Sequence, residues 1–62
     1  MTLTWETRGL TLYAEWTHPV YAGHAIVEPG GKWTIGGRNL NASGEGGCRG
    51  AEDFLRAIGV IK

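Results

Sequence analysis

The sequence predicts an α+β domain: an antiparallel sheet of three or four strands, made of two β-hairpins, with one C-terminal helix packed on one face. Three observations carry this reading. Apolar and polar residues alternate between Leu3 and Gly36 in the manner of strands with one buried face. The alternation is broken at Arg8-Gly9, His18-Pro19 and Pro29-Gly30-Gly31, all of which favour turns. Beyond Cys48 the apolar residues switch to helical spacing.

The first hairpin is expected from strands 3–7 and 10–17, rich in Thr, Trp, Leu and Tyr. With Arg8-Gly9 as its loop, Thr7 faces Leu10, Trp5 faces Leu12 and Leu3 faces Ala14, so the apolar members share one face. The opposite face then pairs Glu6 with Thr11, Thr4 with Tyr13 and Thr2 with Glu15. Pro19 ends the second strand, because it lacks a backbone donor and pushes His18 toward extended geometry.

The second hairpin is expected from strands 21–28 and 32–36, joined by Pro29-Gly30-Gly31. Val27 faces Trp33, Ala25 faces Ile35, and Glu28 and Lys32 close the turn. Residues 36–50 contain glycine at 36, 37, 44, 46, 47 and 50 and read as a long loop anchored by Leu40. In the helix that follows, Cys48, Ala51, Phe54, Leu55 and Ile58 form the apolar stripe, with Arg49, Glu52, Asp53 and Arg56 facing water. Gly59 suits the residue just past a helix end, and Val60-Ile61 are placed to fold back on the sheet.

Composition narrows the function. Residues 1–62 make one domain, near the lower size limit for a core without disulfides or metal. Apolar residues at 42% and charged residues at 19% belong to a folded protein. Cys48 is the single cysteine, so no internal disulfide forms, and the N-terminal residues lack the character of a signal peptide. A cytoplasmic location is expected. No apolar run reaches the ~18 residues of a membrane span. Six Lys/Arg balance six Asp/Glu, which removes the excess positive charge expected of a phosphate-binding surface.

No catalytic or cofactor motif is present. The segment Gly44–Gly50 precedes the helix, but Arg49 stands where a dinucleotide fingerprint needs glycine, and there is no Gly-Lys-Ser/Thr. His18, His24 and Cys48 lack zinc-site spacing. Neither a metal nor a cofactor is expected, and an enzyme built on His24 and Cys48 is a third-ranked reading.

The predicted open sheet face carries Thr4, Glu6, Tyr13, Glu15, His24, Ile26 and Thr34, mixing aromatic, aliphatic and carboxylate groups as protein interfaces do. The three tryptophans divide in this scheme: Trp5 and Trp33 are expected in the core, Trp16 at an uncovered strand end. The favoured reading is a non-enzymatic protein-binding module using Tyr13, Glu15, Glu6, Trp16 and Tyr21.

Two resemblances accompany it. The segments Tyr21–Ile26, Gly31–Gly36 and Ala51–Leu55 look like the sheet-plus-helix modules of integrase arm-binding and AP2-type domains. That likeness implies nucleic-acid binding, here through Lys32, Thr34 and Arg38, and is the alternative function. In general character the chain is similar to small phage-encoded inhibitors, the anti-CRISPR proteins among them. This implies a protein partner within a host defence complex and action in the host cytoplasm.

Overall fold

A computed structural model describes residues 3–62. Its five strands run β1 (Glu6–Arg8), β2 (Thr11–Trp16), β3 (Gly23–Val27), β4 (Trp33–Gly37) and β5 (Leu40–Gly44), followed by helix α1 (Gly47–Ala57). The strands form one antiparallel meander in sequence order, and α1 packs over β4 and β3. The fold class is α+β, with one strand more than the sequence predicts.

The additional strand, β5, lies inside the stretch read as a loop. Its inward positions are Leu40, Ala42 and Gly44, alternating with outward Asn41 and Ser43. Along the strand these side chains shrink from Leu40 through Ala42 to Gly44, and Gly44, opposite Trp33, leaves the space that the Trp33 ring occupies. A Cβ placed on Gly44 would stand 2.5 Å from Trp33 Cζ2, so the glycine marks a close approach. Trp33 also donates its indole N–H to the Glu45 carbonyl at 2.9 Å and lies 5.6 Å, centroid to centroid, from Phe54.

The second hairpin has the expected register, with Val27 opposite Trp33 and Ala25 opposite Ile35. The Glu28 N–H donates to the Lys32 carbonyl at 2.9 Å, closing the turn as expected. In the first hairpin the register is displaced by two residues: Thr7 faces Leu12, and Glu6 faces Tyr13. Gly9 and Leu10 form the turn, so Gly9 takes the positive φ of 64° that the expected loop would have imposed on Arg8. Leu10 is consequently 85% exposed instead of facing Thr7. A two-residue displacement leaves every side chain on its expected face. The expected pairing of Thr2 with Glu15 lies outside the described residues.

The core is Ala14, Trp16, Ala25, Val27, Trp33, Ile35, Ala51, Leu55, Val60 and Ile61. The helix stops at a Schellman motif, in which the Val60 N–H donates to the Leu55 carbonyl and the Gly59 N–H to the Arg56 carbonyl. This turn brings Val60 and Ile61 back onto the apolar cluster, as the sequence predicts.

Trp16 and Trp5 exchange their expected places. Trp16 is 7% exposed, because the chain after Pro19 folds under the sheet end and the Tyr21 carbonyl accepts its indole N–H. Trp5 is half-buried beyond the end of β1 and donates to Glu52 Oε2 of α1 at 2.8 Å. Each tryptophan thus ties a different segment to the body: the N-terminal stretch, the β2–β3 connection and the β5–α1 junction.

Candidate functional site

The face of the sheet opposite α1 is open. It presents Glu6 and Arg8 from β1, Thr11, Tyr13 and Glu15 from β2, His24 and Ile26 from β3, Thr34 from β4, and Asn41 and Ser43 from β5. Register explains the grouping. Tyr13 lies between Glu6 and Ile26 across the strands, while Glu15 lies opposite His24. Tyr13 and His24 are therefore diagonal neighbours, within reach for ring contact.

Their rings stack at 6.0 Å between centroids, with 14° between planes. The Arg8 guanidinium carbon lies 3.8 Å from the Tyr13 ring centroid, a cation–π contact on the aromatic face. Glu6 Oε1 holds Arg8 there, accepting from Nη2 at 2.7 Å and from Nε at 3.0 Å. The Tyr13 hydroxyl donates to Glu15 Oε2 at 3.2 Å. His24 in turn overlies Gly36, where a Cβ would meet its ring at 3.6 Å.

Partial desolvation, followed by the hydrogen bond and the charge of Glu15, pushes the Tyr13 phenol above its ordinary value. Arg8 acts in the opposite sense and is outweighed. Thr4, Glu6, Tyr13, Ala14 and Glu15 line an open cleft of about 250 Å³. The arrangement can anchor a partner through aromatic and aliphatic surface and can exchange hydrogen bonds through Tyr13 and the two carboxylates.

Of the residues singled out from sequence, Tyr13, Glu15 and Glu6 meet on this face. Trp16 does not join them: it is buried on the opposite side, where it serves the core. Tyr21 is half-buried in the β2–β3 connection, stacked on His18 at 5.8 Å and packed against the core cluster. His18 Nδ1 accepts the backbone N–H groups of Val20 and Tyr21 at 3.0 and 3.1 Å, which assigns that imidazole to turn formation.

Lys32 and Arg38 flank β4 at its two ends, about 20 Å apart along extended chain, and do not converge on Thr34. His24 projects from the open face, whereas Cys48 belongs to the helix on the other side, so the sheet separates them. Burial, then the Glu52 carboxylate, pushes the Cys48 thiol above its ordinary value, which lowers its thiolate fraction. Among the described residues, no three metal-ligating side chains converge, and no helix is long and apolar enough to cross a membrane.

Arg8 and His24 are the members of the site that the sequence reading left out of its binding set. The signal for Arg8 is the β1–β2 register, which makes it a strand residue opposite Thr11, and the signal for His24 as a neighbour of Tyr13 is the β2–β3 register, which follows only once the hairpins are assembled into one sheet. No protein-family model, curated protein or solved structure matches the chain.

Proposed function

We propose that this protein is a non-enzymatic binding module that docks the open face of its sheet onto another protein. The observation that carries the reading is the Arg8–Tyr13–His24 stack on the sheet face opposite α1, which no element among the described residues covers. Tyr13 is held from above by Arg8, from the side by His24 and at its hydroxyl by Glu15. Such an anchor loses little rotamer freedom when a partner closes over it. Ile26 continues the strip as its aliphatic part, and the carboxylates of Glu6 and Glu15 form a polar margin.

The concrete form we favour is a small phage-type inhibitor that occupies a surface of a host defence assembly in the cytoplasm. It is supported by the preformed aromatic anchor on the open face of a one-sheet domain. The charges on the face favour a protein over a nucleic acid: Glu6 and Glu15 accompany Arg8, whose guanidinium is already engaged by Glu6.

Affinity capture from a bacterial lysate tests the reading when run with wild-type protein and with Tyr13→Ala and His24→Ala variants. We expect a specific protein whose recovery falls at least about tenfold with Tyr13→Ala, the loss of an interface hot spot. Equal recovery by all three proteins would remove this face from the interface. Binding to duplex DNA that weakens steeply with added salt would replace the proposal with the nucleic-acid reading.

A further inference from the structure

The two edges of the sheet differ in kind. The β1 edge is short and charged, with Glu6 and Arg8 paired at 2.7 Å, a combination that discourages strand addition. The β5 edge, Leu40-Asn41-Ala42-Ser43-Gly44, has no charge and no proline. It ends the strand order, and α1 crosses over β4 and β3 instead of covering it.

Hydrogen-bond parity shows which backbone groups this edge offers. Arg38 N–H donates to the Ala22 carbonyl and Glu28 N–H to the Lys32 carbonyl, so the even-numbered residues along β4 bond toward β3. The odd-numbered Trp33, Ile35 and Gly37 consequently bond toward β5, through their partners Gly44, Ala42 and Leu40. The N–H and C=O groups of Asn41 and Ser43 are left pointing away from the sheet.

We infer that β5 pairs antiparallel with β5 of a second copy of this chain, about a two-fold axis at Ala42. In that register Asn41 of one copy lies opposite Ser43 of the other, and both residues supply the outward backbone groups needed for a closely bonded pair. Leu40 faces Gly44 of the other copy, so small residues accommodate the one large side chain. Inward and outward faces match across the seam.

The flanking charges select this occupant and this direction. Arg38, in the turn before the strand, and Glu45, just after it, stand at opposite ends of β5, about 16 Å of strand apart and too far for an internal pair. Both are exposed. In the antiparallel register Glu45 of each copy lies opposite Asn39 of the other, one residue along the chain from Arg38, so opposite charges are neighbours at both ends of the seam. Parallel pairing would instead set like charges together.

Sedimentation equilibrium of the full chain from micromolar to millimolar concentration tests the inference, with circular dichroism as the check on folding. Wild type is expected to pass from monomer to dimer. Ser43→Pro removes an N–H that β4 does not use and should weaken the dimer about tenfold or more. Should that variant fail to fold, Asn41→Asp with Ser43→Asp sets carboxylates opposite each other and should do the same.

Arg38→Glu should weaken dimerisation several-fold, and adding Glu45→Arg should restore it. A monomeric wild type at millimolar concentration overturns the inference and leaves the edge to a different strand donor. A dimer indifferent to the edge substitutions, or one that the charge exchange fails to restore, overturns it as well.

Discussion

The two faces of the sheet hold their aromatic residues by different means. On the face beneath α1, Trp33 is fixed by shape, with Gly44 and Gly50 leaving room for its ring and the Glu45 carbonyl accepting its N–H. On the open face Tyr13 is fixed by charge and stacking, between Arg8, His24 and Glu15, with no glycine cut to its outline. The first arrangement depends on excluding water and holds the fold together. The second retains solvent contact and costs little to build, because its ion pair is exposed on both sides. A binding surface can therefore be altered here without dismantling the core.

Two isoleucines on neighbouring strands test that separation most severely. Ile35 of β4 is fully buried, whereas Ile26 of β3 is half-buried on the open face. Ile35→Ala should cost about 3 kcal/mol, combining lost transfer free energy with a cavity that the short strands cannot close. Against a total stability of roughly 5 kcal/mol for so small a domain, that change would expose a sizeable unfolded population on mild heating. Ile26→Ala should cost less than about 1 kcal/mol. Guanidinium unfolding of both variants measures the difference, and equal losses would mean that the faces are not energetically distinct.

Gly44→Ala should have an intermediate effect, about 2 kcal/mol, since its methyl group would meet the Trp33 ring 2.5 Å from Cζ2 and the ring is itself packed on Phe54. Near-ultraviolet circular dichroism of the tryptophans should change with it. An unaltered spectrum and midpoint would show that β5 yields freely and that Trp33 does not require the glycine.

That same glycine explains what the sequence concealed. The second hairpin was legible because Val27, Trp33, Ala25 and Ile35 are strong alternating residues on both strands, and the helix end was legible in Gly59. In the first hairpin the faces were right although the register was not, since Gly9 rather than Arg8 begins the turn. Strand β5 was hidden because two of its three inward residues, Ala42 and Gly44, are small, and small residues in a glycine-rich stretch resemble a loop until the large ring beside Gly44 is known. Trp16 and Trp5 were exchanged for a related reason. Their N–H partners, the Tyr21 carbonyl and Glu52, are set by the folding of the connection and the docking of α1, which alternation along a strand does not encode. For the candidate site, the places of Tyr13, Glu15, Glu6 and His24 on the open face followed from parity alone, while Arg8, read as a turn residue, required the true β1–β2 register, and the contact of His24 with Tyr13 required the assembled sheet.

The smallest expected effect concerns the hydroxyl of Tyr13, and it distinguishes a positioned phenol from one that merely stacks. Partial desolvation disfavours a phenolate here, Glu15 and Glu6 oppose it further and Arg8 compensates only in part, so the group is raised above its ordinary value of 10.0. A raised value in the folded state means that the native protein holds this proton more tightly than the unfolded chain does. The contribution is therefore fully present below the unfolded value and fades as pH rises through the folded one. Tyr13→Phe keeps the contacts with Arg8 and His24 but has no proton to lose. Denaturant unfolding of the two proteins should accordingly give a stability difference that is constant from neutral pH to about pH 9 and moves against the wild type in more alkaline solution. Parallel pH profiles would mean that Glu15 does not hold the hydroxyl in solution, leaving the stack with Arg8 and His24 as the only restraint on the ring.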